Sequence, residues 1–100
     1  MVTILRTSSV DDAVEMANGP EYGLSASAFT TNIARGIAIA NQIPSGMCHI
    51  NGPTVHDEAH MPFGGMNASG YGRFGGRAGV REFTDLRWIT IDTEPGHFPI

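Results

Sequence analysis

The sequence predicts an α/β fold that makes up only part of a domain. Two observations lead there. Across the first half, short β-branched runs alternate with amphipathic helical stretches, the pattern of parallel strands joined by crossover helices. The alternation then gives way to a long stretch rich in glycine and small polar residues, followed by one more helix and one more strand. Three open strands and a detached fourth leave the sheet incomplete.

Each element has a local reason. Residues 2–5 (VTIL) are a β-branched run and read as a buried strand. Ser9 suits an N-cap, Asp12 stands three residues on in capping-box position, and Asp11 favours the positive helix end. Val10, Ala13, Val14 and Ala17 follow at helical spacing until Asn18, Gly19 and Pro20 stop the helix. Residues 25–30 (SASAFT) read as a second strand. Asn32 then caps a second helix with Ile33, Ile37 and Ala40 on one face and Ile43 near its end, before Pro44 and Gly46. Residues 47–50 (MCHI) form a third strand, ended by Asn51, Gly52 and Pro53. This β-α-β-α-β order predicts a parallel sheet with right-handed crossovers.

Residues 52–75 read as one long ordered loop, a kind of segment that usually carries function. A short helix near 77–83 follows. A last strand at 86–91 (LRWITI) alternates Leu86, Trp88 and Thr90 with Arg87, Ile89 and Ile91, and residues 94–100 form an extended tail. A first strand with no flanking chain would expose a sheet edge, so more protein is expected before it.

Composition narrows the function classes. A hydrophobic share of 41% with 16% charged residues is ordinary for a globular chain and argues against disorder. The net charge of -4 offers no general attraction to nucleic acid or an acidic membrane. The apolar stretch 33–43 is interrupted by Arg35, Asn41 and Gln42 and does not span a bilayer. Cys48, the one cysteine, forms no internal disulfide, which suits a cytoplasmic setting.

Four groups of residues invite a chemical reading. Gly70, Gly72 and Gly75 make a literal G-x-G-x-x-G with Asp92 downstream. The dinucleotide fingerprint, however, must follow a strand and open a full helix, and residues 66–69 are no strand. The alternative is a tight loop whose glycines permit positive φ and close packing. His56 and His60 stand four apart, but Asp57 occupies the place where a zinc protease carries Glu, and Pro53 and Pro62 disfavour a helix. A polar loop beside a pocket is the other reading. Cys48 lies mid-strand with His49 on the opposite face, so the neighbours form no Cys–His pair and Cys48 reads as a buried small hydrophobe. Phe63 follows Met61 and Pro62 and precedes Gly64 and Gly65, a sharp turn that would hold the ring rigidly, as a pocket wall or in the core.

The ordered set EYGLSA at 21–26, Gly46 through Asn51, PFGG at 62–65 and Ser69-Gly70 resembles the C-terminal end of the NAD(P)-dependent aldehyde dehydrogenase superfamily. The resemblance covers about residues 2 to 93. The string HINGPTVHDEAHMPFGG, with SGYGRFGG and FTDLRWITI, is similar to the bacterial branch acting on aromatic aldehydes, such as salicylaldehyde and vanillin dehydrogenases. The resemblance implies a partial catalytic domain over 1–82, an oligomerisation strand over 83–93, and a tail over 94–100. It implies oxidation of an aldehyde to a carboxylic acid, with the nucleophilic cysteine, the general-base glutamate and the NAD or NADP site all upstream. No residue here is then catalytic, cofactor-binding or metal-binding. Val55, His56 and Phe63 would touch the aldehyde in the loop 52–63, and Asn51, Gly64 and Gly65 would shape the backbone. Trp88 and Ile89 would sit at the interface of a homodimer or homotetramer. A stand-alone, non-catalytic assembly module is the other function class, and the chain alone is expected to be inactive under either.

Overall fold

The computed structural model describes residues 2–94, 96 and 97. Seven elements follow one another: α1 (Val10–Asn18), β1 (Tyr22–Gly23), β2 (Ser25–Ala28), α2 (Ile33–Ala40), β3 (Met47–Ile50), β4 (Met66–Asn67) and α3 (Gly76–Glu82). The tail expected over 94–100 falls largely outside the described residues.

The centre is a β2-α2-β3 unit. β2 and β3 pair in parallel, with Ser25 opposite Met47, Ala26 opposite Cys48, Ser27 opposite His49 and Ala28 opposite Ile50. α2 covers one face of this pair. A Cβ on Gly36 would lie 2.9 Å from Cγ2 of Ile50, so the helix axis approaches the strand as closely as a glycine allows. By strand alternation, Ala26, Ala28, Cys48 and Ile50 share that helix-covered face, and Ser25, Ser27, Met47 and His49 share the other.

Both expected N-caps form. Ser9 Oγ accepts the Asp12 N–H at 3.1 Å, and Asn32 Oδ1 accepts the Arg35 N–H at 3.0 Å. The reciprocal half of the first box is displaced by one residue. Asp12 Oδ2 takes the N–H of Ser8 at 2.9 Å, and the Ser8 hydroxyl as well, instead of the Ser9 N–H. 

The structure corrects the expected elements in four places. Residues 2–5 form no strand, and Val2 and Ile4 are 86% and 89% exposed. Residues 86–91 form none either, with Leu86 and Trp88 fully in solvent. Both runs have strand-forming side chains, but a strand exists only with a hydrogen-bonding neighbour, and none lies within reach. The parallel sheet accordingly holds two strands rather than three. The second strand ends at Ala28, two residues early. The loop 52–75 is also less uniform than expected. β4 pairs antiparallel with β1, matching Tyr22 to Asn67 and Gly23 to Met66. Phe63 and Phe74 exchange two backbone hydrogen bonds of 2.8 and 2.7 Å.

Little of the molecule is enclosed. Val14 is the one buried hydrophobic side chain among the described residues. The chain exposes 8734 Å², where a compact protein of this mass exposes about 5,500 Å². Its radius of gyration is 21.0 Å, against about 13 Å for a compact domain of similar length.

Candidate functional site

A cleft of about 360 Å³ opens between β3 and the loop that follows it. That volume is in the range of small-molecule sites. Gly46 through His49 form one wall, and His56, Asp57, Glu58, Met61, Pro62 and Phe63 form the other. The loop reaches this position because it folds back over the Ser25–Ser27 face of the sheet.

The turn into the loop is made by Asn51, whose φ of 59° lies in the left-handed region. Asparagine tolerates that conformation better than other side chains with a Cβ. Its amide also grips Thr30 at two points: Oδ1 accepts the Thr30 N–H at 2.8 Å and Nδ2 donates to the Thr30 carbonyl at 2.9 Å. Its own N–H extends the β2–β3 ladder to the Ala28 carbonyl at 2.9 Å. The loop then runs beside β2. Ser27 Oγ donates to the Gly52 carbonyl, and Ser25 Oγ donates to the Thr54 carbonyl at 2.8 Å.

At the far side of the loop three backbones meet. A Cβ on Gly46 would collide with the Gly64 carbonyl oxygen, and one on Gly64 would come within 2.5 Å of the Gly72 carbonyl. One on Gly65 would come within 2.5 Å of the Ser69 side chain. Arg73 ties the turn together, donating from Nη1 to the Gly65 carbonyl at 2.8 Å and to the Gly72 carbonyl at 2.7 Å. These contacts fix the approach of Phe63 to the cleft.

Inside, the rings of His49 and His56 meet edge to face, with centroids 5.4 Å apart and planes at 73°. His49 Nε2 is enclosed and has no hydrogen-bond partner among the described residues. Glu58 lies between two imidazoles, with Oε1 3.2 Å from His56 Nε2 and Oε2 3.4 Å from His60 Nε2. Both pairs are well exposed and contribute little to stability. Cys48 borders the same cleft and is half-buried, rather than fully buried as its mid-strand place suggested. Burial pushes its thiol up from the ordinary value, and its sulfur makes no hydrogen bond to an imidazole among the described residues. A nucleophile needs the opposite shift.

Of the residues singled out from sequence, His56 and Phe63 line the cleft, and Asn51, Gly64 and Gly65 build its frame. Val55 is not part of the cleft lining and is 91% exposed. Ser25, Ser27, Gly46 and Arg73 were given no role at the cleft. Their signal is long-range, since the partners of the two serines lie 29 and 25 residues away. Among the described residues no group of three or more His, Cys, Asp or Glu side chains is placed to hold a metal ion.

The glycines at 70–75 do not fit a dinucleotide. A Cβ on Gly72 would meet the Glu82 carboxylate at 2.7 Å, and one on Gly75 would strike the Met61 carbonyl oxygen. Glu82 Oε1 accepts the Arg73 N–H at 3.2 Å, which places a carboxylate where a pyrophosphate would need donors. The positive φ values of Gly72, Gly75 and Gly76 serve the packing of this turn against α3 and residues 59–61, whereas Gly70 turns the chain in open space.

The parallel β-α-β unit with a folded-back loop over its open face places the chain among known proteins. It belongs to the aldehyde dehydrogenase family, whose model matches residues 1–89. Within that family the chain is 50% identical over 100 residues to a vanillin dehydrogenase of Pseudomonas fluorescens, covering 100% of this chain and 21% of that protein. It is 48% identical over 92 residues to a benzaldehyde dehydrogenase of Pseudomonas putida, covering 91% of this chain and 19% of the relative. A salicylaldehyde dehydrogenase from Pseudomonas putida G7, solved with salicylaldehyde, superposes with a TM-score of 0.90 at 42% identity, over 96% of this chain and 20% of that one. The chain thus spans about a fifth of the length of these relatives.

Proposed function

We propose that this chain is the C-terminal segment of an NAD(P)-dependent aldehyde dehydrogenase that oxidises aromatic aldehydes to carboxylic acids. The observation that carries this reading is the 50% identity to a vanillin dehydrogenase along the whole chain. The cleft supports it. Phe63, Met61 and Met47 offer apolar and polarisable contacts to a ring, and His56 offers a polar group beside them.

In this reading the chain supplies one wall of the aldehyde entrance. Phe63 and His56 orient the ring, Val55 guards the rim, and Asn51, Gly64 and Gly65 hold the backbone that presents them. Orientation of this kind raises rate by fixing the reacting carbonyl before chemistry begins. The nicotinamide group, when bound, accepts hydride, and the residues that hold it belong to the remaining four-fifths of the protein. So do the nucleophile and the base, since Cys48 has a raised thiol pKa and no imidazole bonded to it. Residues 83–93 complete an intersubunit sheet with Trp88 and Ile89 as anchors, which accounts for strand-forming side chains left in solvent. Residues 1–82 belong to the catalytic domain, and the protein works in the cytoplasm as a homodimer or homotetramer. No described helix is long and apolar enough to cross a membrane.

The surface area weighs against a self-sufficient module. Compared with a compact protein of its mass, the chain leaves roughly 3,000 Å² uncovered. The test is direct. The full-length protein should reduce NAD or NADP with benzaldehyde-type substrates, and the 100-residue chain alone should not. Aldehyde-dependent growth of the reduced-nicotinamide absorbance with the purified chain alone would refute the assignment of roles.

A further inference from the structure

We infer that Ser25 and Ser27 are positioning residues which latch the first turn of the substrate loop to the sheet and thereby set the shape of the aldehyde cleft. The inference rests on the reading of 52–63 as a substrate loop. Both serines lie on the face of β2 opposite α2, and neither hydroxyl is used within the β2–β3 ladder, which is made of backbone groups. Each donates instead to a loop carbonyl: Ser27 to Gly52 and Ser25 to Thr54, the latter at 2.8 Å. Two residues on one strand face thus hold two alternate residues of the loop, so the loop start runs along the strand in register. Asn51 closes the near end through its two bonds to Thr30.

The geometry leads on to the cleft. Ser27 stands opposite His49 in the sheet, and His49 meets His56 edge to face at 5.4 Å. Fixing Gly52 and Thr54 therefore fixes where His56 begins its return toward β3. Without the two hydroxyls, the Gly52 and Thr54 carbonyls turn to solvent and residues 53–58 gain freedom, because the next backbone hydrogen bond made by the loop is from Met61 to Glu58. Binding of the aldehyde then has to order the loop, and the cost falls on substrate affinity.

The test compares threonine with valine, two side chains of one shape that differ by the hydroxyl. In the full-length enzyme, Ser25→Thr/Ser27→Thr should keep the wild-type KM for an aromatic aldehyde. Ser25→Val/Ser27→Val should raise that KM by about five- to thirtyfold, the combined worth of two hydrogen bonds. The kcat and the KM for the nicotinamide cofactor should stay within about twofold, where a general loss of folding would lower active-enzyme concentration and so kcat. Limited proteolysis within 53–58 should quicken in the valine pair alone. Equal cleavage at 53–58 in the threonine and valine pairs overturns the latch, whatever the kinetics. If the wild-type enzyme oxidises no aromatic aldehyde but cleavage still separates the two pairs, the latch stands and the substrate reading falls.

Discussion

Residues 21–76 and the two chain ends differ in how they are held. In the first region backbone meets backbone across long sequence distances. Gly46 donates to Gly23, Met47 to Leu24, Ala68 to Glu21, and Phe63 exchanges bonds with Phe74. Residues 2–7 and 85–94 make no hydrogen bond to any other described residue. Their apolar side chains, Ile4, Leu5, Leu86, Trp88 and Ile91 among them, stand in water. The difference teaches that the middle is a frame that closes on itself, whereas the ends carry apolar side chains that meet no partner among the described residues.

Gly46→Ala should break the frame most severely. The new methyl group would collide with the Gly64 carbonyl oxygen, and backbone on both sides has no room to retreat. A loss of about 3 kcal/mol or more in full-length stability is expected, in the range of severe strain or overpacking. Denaturant unfolding measures it, and a wild-type midpoint would show that the frame is looser than its geometry.

Trp88→Ala probes the ends. On the proposal that residues 83–93 pair between subunits, it should leave the unfolding of the subunit nearly unchanged but weaken association by about 2 kcal/mol, as loss of a central aromatic anchor does. Sedimentation at several concentrations separates the two effects. In the isolated chain the same tryptophan, 90% exposed, should be quenched freely by iodide. A protected tryptophan there would mean that the ends fold back after all.

Asn51 tests a single joint of the frame. Asn51→Ala removes both bonds to Thr30 and also places a β-carbon without side-chain compensation at positive φ, for about 2 kcal/mol. Asn51→Gly removes the bonds but suits the φ, so it should cost about half as much. Thermal unfolding of the two variants side by side ranks them, and equal losses would assign the whole effect to the hydrogen bonds. The smallest effect is expected at Val55. Val55→Ala should alter stability by less than about 0.5 kcal/mol, as is usual for an exposed side chain, and shift the aldehyde KM less than His56→Ala does.

Local chemistry was legible wherever it was self-contained. Ser9 and Asn32 cap their helices, SASA and MCHI form the parallel pair, and Asn51 stops the third run as read. What depended on distant partners was not. The β1–β4 pair is two residues long on each side and joins segments 45 residues apart in sequence (67 − 22), too short for any periodicity to announce. Residues 2–5 and 86–91 have strand composition, but pairing decides whether a strand exists. At the site, Phe63 and His56 could be named from the loop that bears them. Ser25 and Ser27 could not, because a serine in a strand gives no sign of which carbonyl it will meet. Val55 shows the same limit: composition indicates an apolar residue, but the path of the turn at 52–54 decides that it stands exposed outside the cleft lining.

The cleft loop is gripped at both ends, by Asn51 and the two serines where it leaves the sheet and by the glycine crossing and the Phe63–Phe74 pair where it returns. Between those moorings, residues 55–58 make no backbone hydrogen bond to the sheet or to the glycine turn among the described residues. Changing the length of a tethered loop has only a modest entropic cost. On the reading of 52–63 as a substrate loop, residues 55–58 are therefore an exchangeable cassette: swapping these four side chains, or adding to them, would retune the cleft without refolding the frame around it.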